Sequence, residues 1–264
     1  MPVLNLSDSQ SLALGSSAVK AAYLGSDLCY FDPLSISGLV GWYDSLDLTA
    51  MSQNSDGTGT VAVGDQVGYW KDKSATAAHV TQGIAANRPT LTASAVNGLP
   101  ALVFDGSNDS LASASGYTAQ NSLAALTRIM VFATSQTSIA SRVFSGGSDI
   151  AFTLSDGLRS TVTDGNGARL SVVSAPLRVY ASVFDGSENQ INIFFDNVAQ
   201  SVTEIGTIPA TTGAGSPTLH IGSNVGINNF TNGPIAEYLI YNRALPDAER
   251  TLVYEYLRRK WGFA

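Results

Sequence analysis

Gly233-Pro234-Ile235-Ala236-Glu237-Tyr238-Leu239-Ile240-Tyr241-Asn242-Arg243-Ala244-Leu245-Pro246-Asp247-Ala248-Glu249-Arg250 runs an apolar strand straight into the start of an amphipathic helix. Beyond it, Leu252, Val253, Tyr256, Leu257 and Trp261 recur at offsets of three to four and form one apolar stripe. Pro246 suits the first helical position, and Asp247 and Glu249 fall in the positive first turn. Arg258-Arg259-Lys260 falls in the last turn, where cations complement the helix dipole, and Gly262 can cap the end.

Working back from that segment, apolar stretches come at short intervals with turn residues between them. Arg128 to Thr134, Ser141 to Phe144, Ile150 to Leu154, Arg159 to Val162, Leu170 to Val173 and Val179 to Phe184 read as strands. Asp156-Gly157, Asp164-Gly165 and Asp185-Gly186 supply hairpin turns. In the next strand Ile191, Ile193 and Phe195 share one face, while Asn192 and Phe194 share the other. Leu219-His220-Ile221-Gly222 opens the strand before the closing segment. Many antiparallel strands with one helix at the end predict an all-β, two-sheet antiparallel jelly-roll sandwich with a short C-terminal helix.

The first half carries Gly38-Leu39-Val40-Gly41-Trp42-Tyr43-Asp44 as an apolar strand, and Val67 to Trp70 as another that ends in the polar turn Lys71-Asp72-Lys73-Ser74. Ser52 to Gly59 between them is a surface loop. Arg88-Pro89-Thr90 leads through Asn97-Gly98 to Ala101-Leu102-Val103-Phe104 and the turn Asp105-Gly106-Ser107-Asn108-Asp109. The order of these pieces, with the closing segment, resembles laminin-G-like, concanavalin A-like domains of bacteria and phages over residues 36 to 262. The resemblance implies the sandwich. Such domains bind surfaces or sugars or build assemblies, and some carry glycosidase sites, so the fold alone names no activity. The family usually places a small hydroxyl residue where Pro246 stands, which weakens helix initiation here.

Residues 1 to 34 are Ser-rich and weakly periodic, leading to Val19-Lys20-Ala21-Ala22-Tyr23-Leu24-Gly25-Ser26-Asp27-Leu28-Cys29-Tyr30-Phe31. Two short strands about a Gly25-Ser26 turn fit this stretch. Its V-K-x-x-Y-L-G spacing resembles a short module near the termini of tailed-bacteriophage structural proteins; an ordinary edge hairpin is the competing reading. The resemblance implies an N-terminal docking arm over residues 1 to 34, with Tyr23, Leu24, Leu28 and Phe31 gripping a neighbouring subunit, and a sandwich domain over 35 to 264.

The 264 residues are 44% hydrophobic and 13% charged, which supplies a sizeable core and a weakly charged surface. A formal net charge of −7 disfavours a nucleic-acid groove, which needs a basic face. Cys29 is the only cysteine, so no intrachain disulfide or multi-cysteine zinc site forms. Its apolar neighbours suggest a small buried hydrophobe. The missing bridge favours synthesis in a reducing cytoplasm, a bacterial host's included. No apolar run approaches a membrane span, and Met1 to Asp8 lacks the basic and apolar parts of a secretory signal.

Catalysis finds little footing. A retaining glycosidase needs two carboxyl groups about 5 to 5.5 Å apart, such as Glu-x-Asp-x-Glu on one strand face. Glu188, Glu204, Glu237, Glu249 and Glu255 are the only glutamates and none is so placed. Cys29, His79 and His220 lie in unrelated segments, and His220 reads as an exposed or satisfied strand histidine. Calcium is the one cofactor carried forward, on Asp105, Asn108 and Asp109, whose oxygens equally suit an Asx-stabilised turn. Sugar binding would draw on Trp42, Tyr43, Tyr69 and Trp70, of which the tryptophans read as core, or on the loop residues Asn228, Asn229 and Phe230.

These observations predict a non-enzymatic structural protein on the surface of a tailed-phage virion, a capsid decoration or tail-associated subunit. Its partners would be other virion proteins and copies of itself. The alternative is a carbohydrate-binding module for host attachment. No nucleic acid and no membrane insertion are expected.

Overall fold

The computed structural model describes residues 13–14, 17–18, 21–24, 27–134, 141–145, 151–154, 158–163, 166–170, 175–214, 218–224 and 228–264. Two small hairpins come first, β1 (Ala13–Leu14) with β2 (Ser17–Ala18) and β3 (Ala21–Leu24) with β4 (Asp27–Phe31). Then follow β5 (Leu39–Asp44), β6 (Met51–Ser52), β7 (Tyr69–Trp70), β8 (Val80–Thr81), β9 (Thr90–Val96), β10 (Leu99–Asp105) and β11 (Leu111–Ser113). After these come β12 (Ala125–Thr134), β13 (Ser141–Ser145), β14 (Ala151–Leu154), β15 (Leu158–Thr163) and β16 (Asn166–Leu170). The chain closes with β17 (Ala175–Asp185), β18 (Gln190–Phe195), β19 (Val198–Ala199), β20 (Thr203–Ile205), β21 (His220–Ile221), β22 (Asn232–Tyr241) and helix α1 (Asp247–Lys260).

The sheets are antiparallel, as the alternating sequence predicts. One runs β19-β18-β17-β12-β22-β10-β9, with β5 also on β22; the other runs β20-β16-β15-β14-β13-β21-β11-β8-β7-β6. Between them lies the larger core, built from Leu102, Phe104, Met130, Phe132, Tyr180 and Tyr238 of the first sheet against Met51, Trp70, Val80, Leu158 and Ile221 of the second. A second core covers the back of the first sheet. There Ile129, Val131, Phe194 and Leu239 meet Val253, Leu257 and Trp261 of α1, with Leu28 and Phe31 of the β3–β4 hairpin. The central strand β12 is therefore buried on both faces and reads as a nearly continuous apolar run. Phe194, opposite Ile191 and Ile193, is capped by the Arg250 guanidinium 3.8 Å from its ring centroid.

A bulge at Ala236 decides which way the closing strand presents its side chains. The register of β22 against β12 shifts between Ile235 and Glu237, so Ile235 faces the inter-sheet core while Glu237 faces the helix. The Ala236 carbonyl set free by the bulge accepts the Ser45 N–H (3.0 Å) and hydroxyl (2.8 Å).

Pro246 is the N-cap rather than the first helical residue, with no side-chain cap. The helix end is a Schellman turn: Phe263 N–H donates to the Arg258 carbonyl (2.8 Å), Gly262 N–H to that of Arg259 (3.3 Å), and Gly262 sits at φ +68°. Of the strand expected at Leu170 to Val173, only Leu170 is described, at the end of a strand that begins at Asn166, and residues 171–173 lie outside the described residues. Leu28 and Phe31, expected to grip another subunit, are buried in this chain's own second core, Phe31 with its ring 5.7 Å from that of Tyr256. The apolar stripe of α1 needs that cover. The turns at 25–26, 156–157 and 164–165, and the side chains of Tyr23, Leu24 and Cys29, lie outside the described residues. Among the described residues no helix is long and apolar enough to cross a membrane.

Candidate functional site

Five cross-strand neighbours on the outer face of the second sheet fall into one row. Ser52 pairs with Tyr69, Tyr69 with Thr81, Thr81 with Ala112, and Ala112 with His220. Their sequence neighbours Met51, Trp70, Val80 and Ile221 point inward, as a period of two requires. Beside this row the segments 76–79 and 113–119 wall a groove of about 550 Å³, lined by Tyr69, His79, Thr81, Ser113, Ser115 and Tyr117 among others. The Tyr69 and His79 rings lie 5.3 Å apart, tilted by 51°. His79 Nδ1 accepts the Asp72 N–H at 3.1 Å, which places the proton of the neutral ring on Nε2.

The near wall is shaped by Asp72, which is 1% exposed. Its Oδ1 accepts the N–H groups of Trp42 and Ser74, each at 2.8 Å. Its Oδ2 accepts the Ser74 hydroxyl (2.9 Å) and the Ala78 N–H (3.0 Å). These bonds hold Ala77 at φ +51°, a conformation that alanine rarely adopts and that persists only where the surroundings over-determine it. From the core, the Tyr43 hydroxyl donates to the Ala78 carbonyl at 2.5 Å. A half-exposed aromatic pair, a ring N–H and several hydroxyls on a fixed frame suit a ligand with apolar faces and many hydroxyls.

The carboxylates are used elsewhere. Asp44 and Glu237 stand directly opposite each other on β5 and β22, but both are buried under α1. Glu237 Oε1 accepts Trp42 Nε1–H and the Tyr256 hydroxyl, and Oε2 accepts Trp261 Nε1–H, all at 2.8 Å. Lys260 Nζ bridges Glu237 Oε2 (2.9 Å) and Asp44 Oδ2 (2.7 Å), while Lys73 ties Asp44 to Asp47 at 2.9 Å each. Glu237, alone on its strand in sequence, thus anchors a closed polar cluster, and Lys260 turns inward instead of simply facing the helix dipole.

The other candidate residues fall apart from the groove. Asp105 Oδ1 accepts the N–H groups of Ser107, Asn108 and Asp109, and Asp109 Oδ2 accepts that of Asp105 (2.9 Å). This is the geometry of an Asx-stabilised turn. Two carboxylates and one amide fall short of six to eight calcium ligands, and no group of three or more His, Cys, Asp or Glu that could hold a metal occurs among the described residues. Asn228 is exposed and Asn229 and Phe230 are half-buried on the β21–β22 loop, where Asn224 N–H donates to the Asn228 carbonyl. His220 was expected to be exposed or satisfied; it is buried, burial lowers its pKa, and its Nδ1 has no hydrogen-bond partner.

Asp109 yields a pH prediction. Burial, then the charge of Asp105, pushes its pKa up to about 7. The folded chain then keeps a proton that the unfolded chain releases near its ordinary value of about 3.9, so stability present below that value is lost as pH rises towards 7. Asp109→Asn retains an acceptor for the Asp105 N–H. It is expected to match the parent in urea unfolding at pH 4 and to exceed it by about 1 kcal/mol at pH 8, the full shift being discounted for solvent screening.

A two-layer antiparallel sandwich with a lipped groove on one outer face is a lectin-like architecture. The chain belongs to the concanavalin A-like lectin/glucanases superfamily, whose laminin-G-like family model matches residues 105–249. No curated protein sequence matches it. Among solved structures it is similar to Trypanosoma rangeli sialidase bound to 2,3-difluoro-KDN, at 11% identity and a TM-score of 0.51, over 92% of this chain and 36% of that one. It is also similar to the NanB sialidase of Streptococcus pneumoniae, at 15% identity and a TM-score of 0.40, over 56% of this chain and 26% of that one. The chain spans about a third of the Trypanosoma sialidase and about a quarter of NanB. At such identity the likeness is one of fold. The expectation that this chain is not an enzyme is corrected on the family match: the superfamily to which it belongs takes in glucanases as well as lectins, so its fold does not set enzymes aside. No carboxylate lines the groove among the described residues.

Proposed function

We propose that this domain binds carbohydrate in the groove beside Tyr69. The observation that carries the reading is the Tyr69–His79 pair, held half-exposed above hydroxyl-bearing walls on a frame fixed by Asp72. The ring faces would pack against the C–H face of a sugar, and the His79 Nε2–H and the hydroxyls of Thr81 and Ser115 would take its hydroxyl groups. Membership of a lectin/glucanase superfamily supports the same ligand class. We place the domain on a tailed-phage particle, facing the host surface, on the strength of the Tyr23-Leu24-Gly25 spacing in the β3–β4 segment.

A glycan array probed with the full chain tests the first part. Binding of at least one oligosaccharide is expected, and Tyr69→Ala should weaken it by about 10- to 100-fold, or roughly 1.4 to 2.8 kcal/mol. An array without hits, or affinity unmoved by Tyr69→Ala, would refute the groove. Chain-length analysis of the bound glycan reports whether it is also cleaved. Labelling of intact particles with an antibody to this chain tests the second part, and unlabelled particles would remove it.

A further inference from the structure

We propose that the guanidinium of Arg128, inside the sandwich, holds a small monovalent anion such as a halide. Arg128 lies on β12 with Leu126, Met130 and Phe132 on the face turned to the inter-sheet core, and is 1% exposed. Its recorded hydrogen bonds both leave from Nη2, to Ser160 Oγ (2.7 Å) and the Thr161 carbonyl (3.2 Å) of β15. The Nε–H is buried with no partner. Among the described residues no carboxylate pairs with it.

The surroundings are polar but neutral. Ser160 Oγ continues to Ser182 Oγ, the residue directly opposite Arg128 on β17. The phenols acting most on the charge are those of Tyr238 and Tyr117, and burial raises both of their pKa values, so neither supplies a negative charge. Arginine does not shed its proton, and a lone buried cation costs several kcal/mol. A counter-ion on the Nε edge removes that cost. One guanidinium balances one charge, so the proposed ion is monovalent, and the close-packed core limits it to a small one. Tyr117 lines the outer groove, and its phenol is among the groups acting on the Arg128 charge.

The test is independent of what the groove binds. Thermal unfolding of the full chain in sodium chloride against sodium gluconate, at equal ionic strength, should show a saturable rise of about 5 °C at a hundredfold excess over Kd. Arg128→Met should lose the chloride dependence. Bromide-soaked crystals should show an anomalous peak within hydrogen-bond distance of Arg128 Nε. Equal melting in both salts, a chloride effect that survives in Arg128→Met, or a water at Nε that bromide does not replace, each overturns the site. If the methionine variant fails to fold, the bromide peak decides.

Discussion

Lys260→Met is expected to lower stability by about 3–5 kcal/mol at pH 8, a fall of about 10 °C in Tm. Lys260 donates to Glu237, Asp44 and the Tyr256 hydroxyl (2.9 Å), so its loss strips two buried carboxylates of their shared cation. In the parent, burial works to raise Asp44, but Lys260 and Lys73 outweigh it and hold its pKa below the usual carboxylate range. Glu237 is raised, burial outweighing the pull of Lys260. Three carboxylates share two ammonium groups in this cluster, and Glu237 is the one left short.

The variant should also depend on pH in a definite sense. Without Lys260 the buried Glu237 has no cation and stays protonated in the folded chain to higher pH than in the unfolded chain, while Asp44 keeps Lys73. The stability this contributes below about pH 4 is then lost as pH rises through its folded value. The deficit against the parent is therefore widest at pH 8 and narrows towards pH 4, and Lys260→Met/Glu237→Gln recovers part of it. Urea unfolding at the two pH values reads this directly. A single variant within 1 kcal/mol of the parent at pH 8 would show the cluster to be ornamental.

Much of the sandwich was legible because its long strands, β12, β17 and β22, are apolar runs set off by turn residues. The helix stripe of Val253, Leu257 and Trp261 is unambiguous. The polar cluster was hidden because Trp42 and Glu237 are 195 residues apart and meet only once β5 pairs with β22. The groove was hidden for another reason. β6, β7 and β8 are two residues each, too short for any period, so the alignment of Tyr69, Thr81 and Ala112 exists only after the strands pair. Arg128 shows the same limit: a cation in an apolar strand looks like an edge residue until two sheets close over it.

Asp72→Ala is the second large effect expected, about 3–4 kcal/mol, with loss of glycan binding. The side chain accepts four hydrogen bonds with almost no exposure, and bonds to a charged acceptor contribute about 1.5–3 kcal/mol each but do not add fully. Removing it frees the 74–78 segment, and the strained Ala77 no longer has a reason to hold φ +51°. His79, whose ring is fixed by the Asp72 N–H, would then leave its position beside Tyr69. Asp72→Asn separates the frame from the groove wall. The amide oxygen, placed at Oδ1, still accepts from Trp42 and Ser74, but the amide nitrogen at Oδ2 offers hydrogens to the Ser74 hydroxyl and the Ala78 N–H, and only the hydroxyl can rotate to accept. The asparagine variant should thus keep most of the stability and lose most of the binding, as unfolding curves and array affinities measured side by side will show. Binding retained in Asp72→Asn would mean that the wall does not need Ala78 pinned, and that the groove beside Tyr69 is not where the sugar sits.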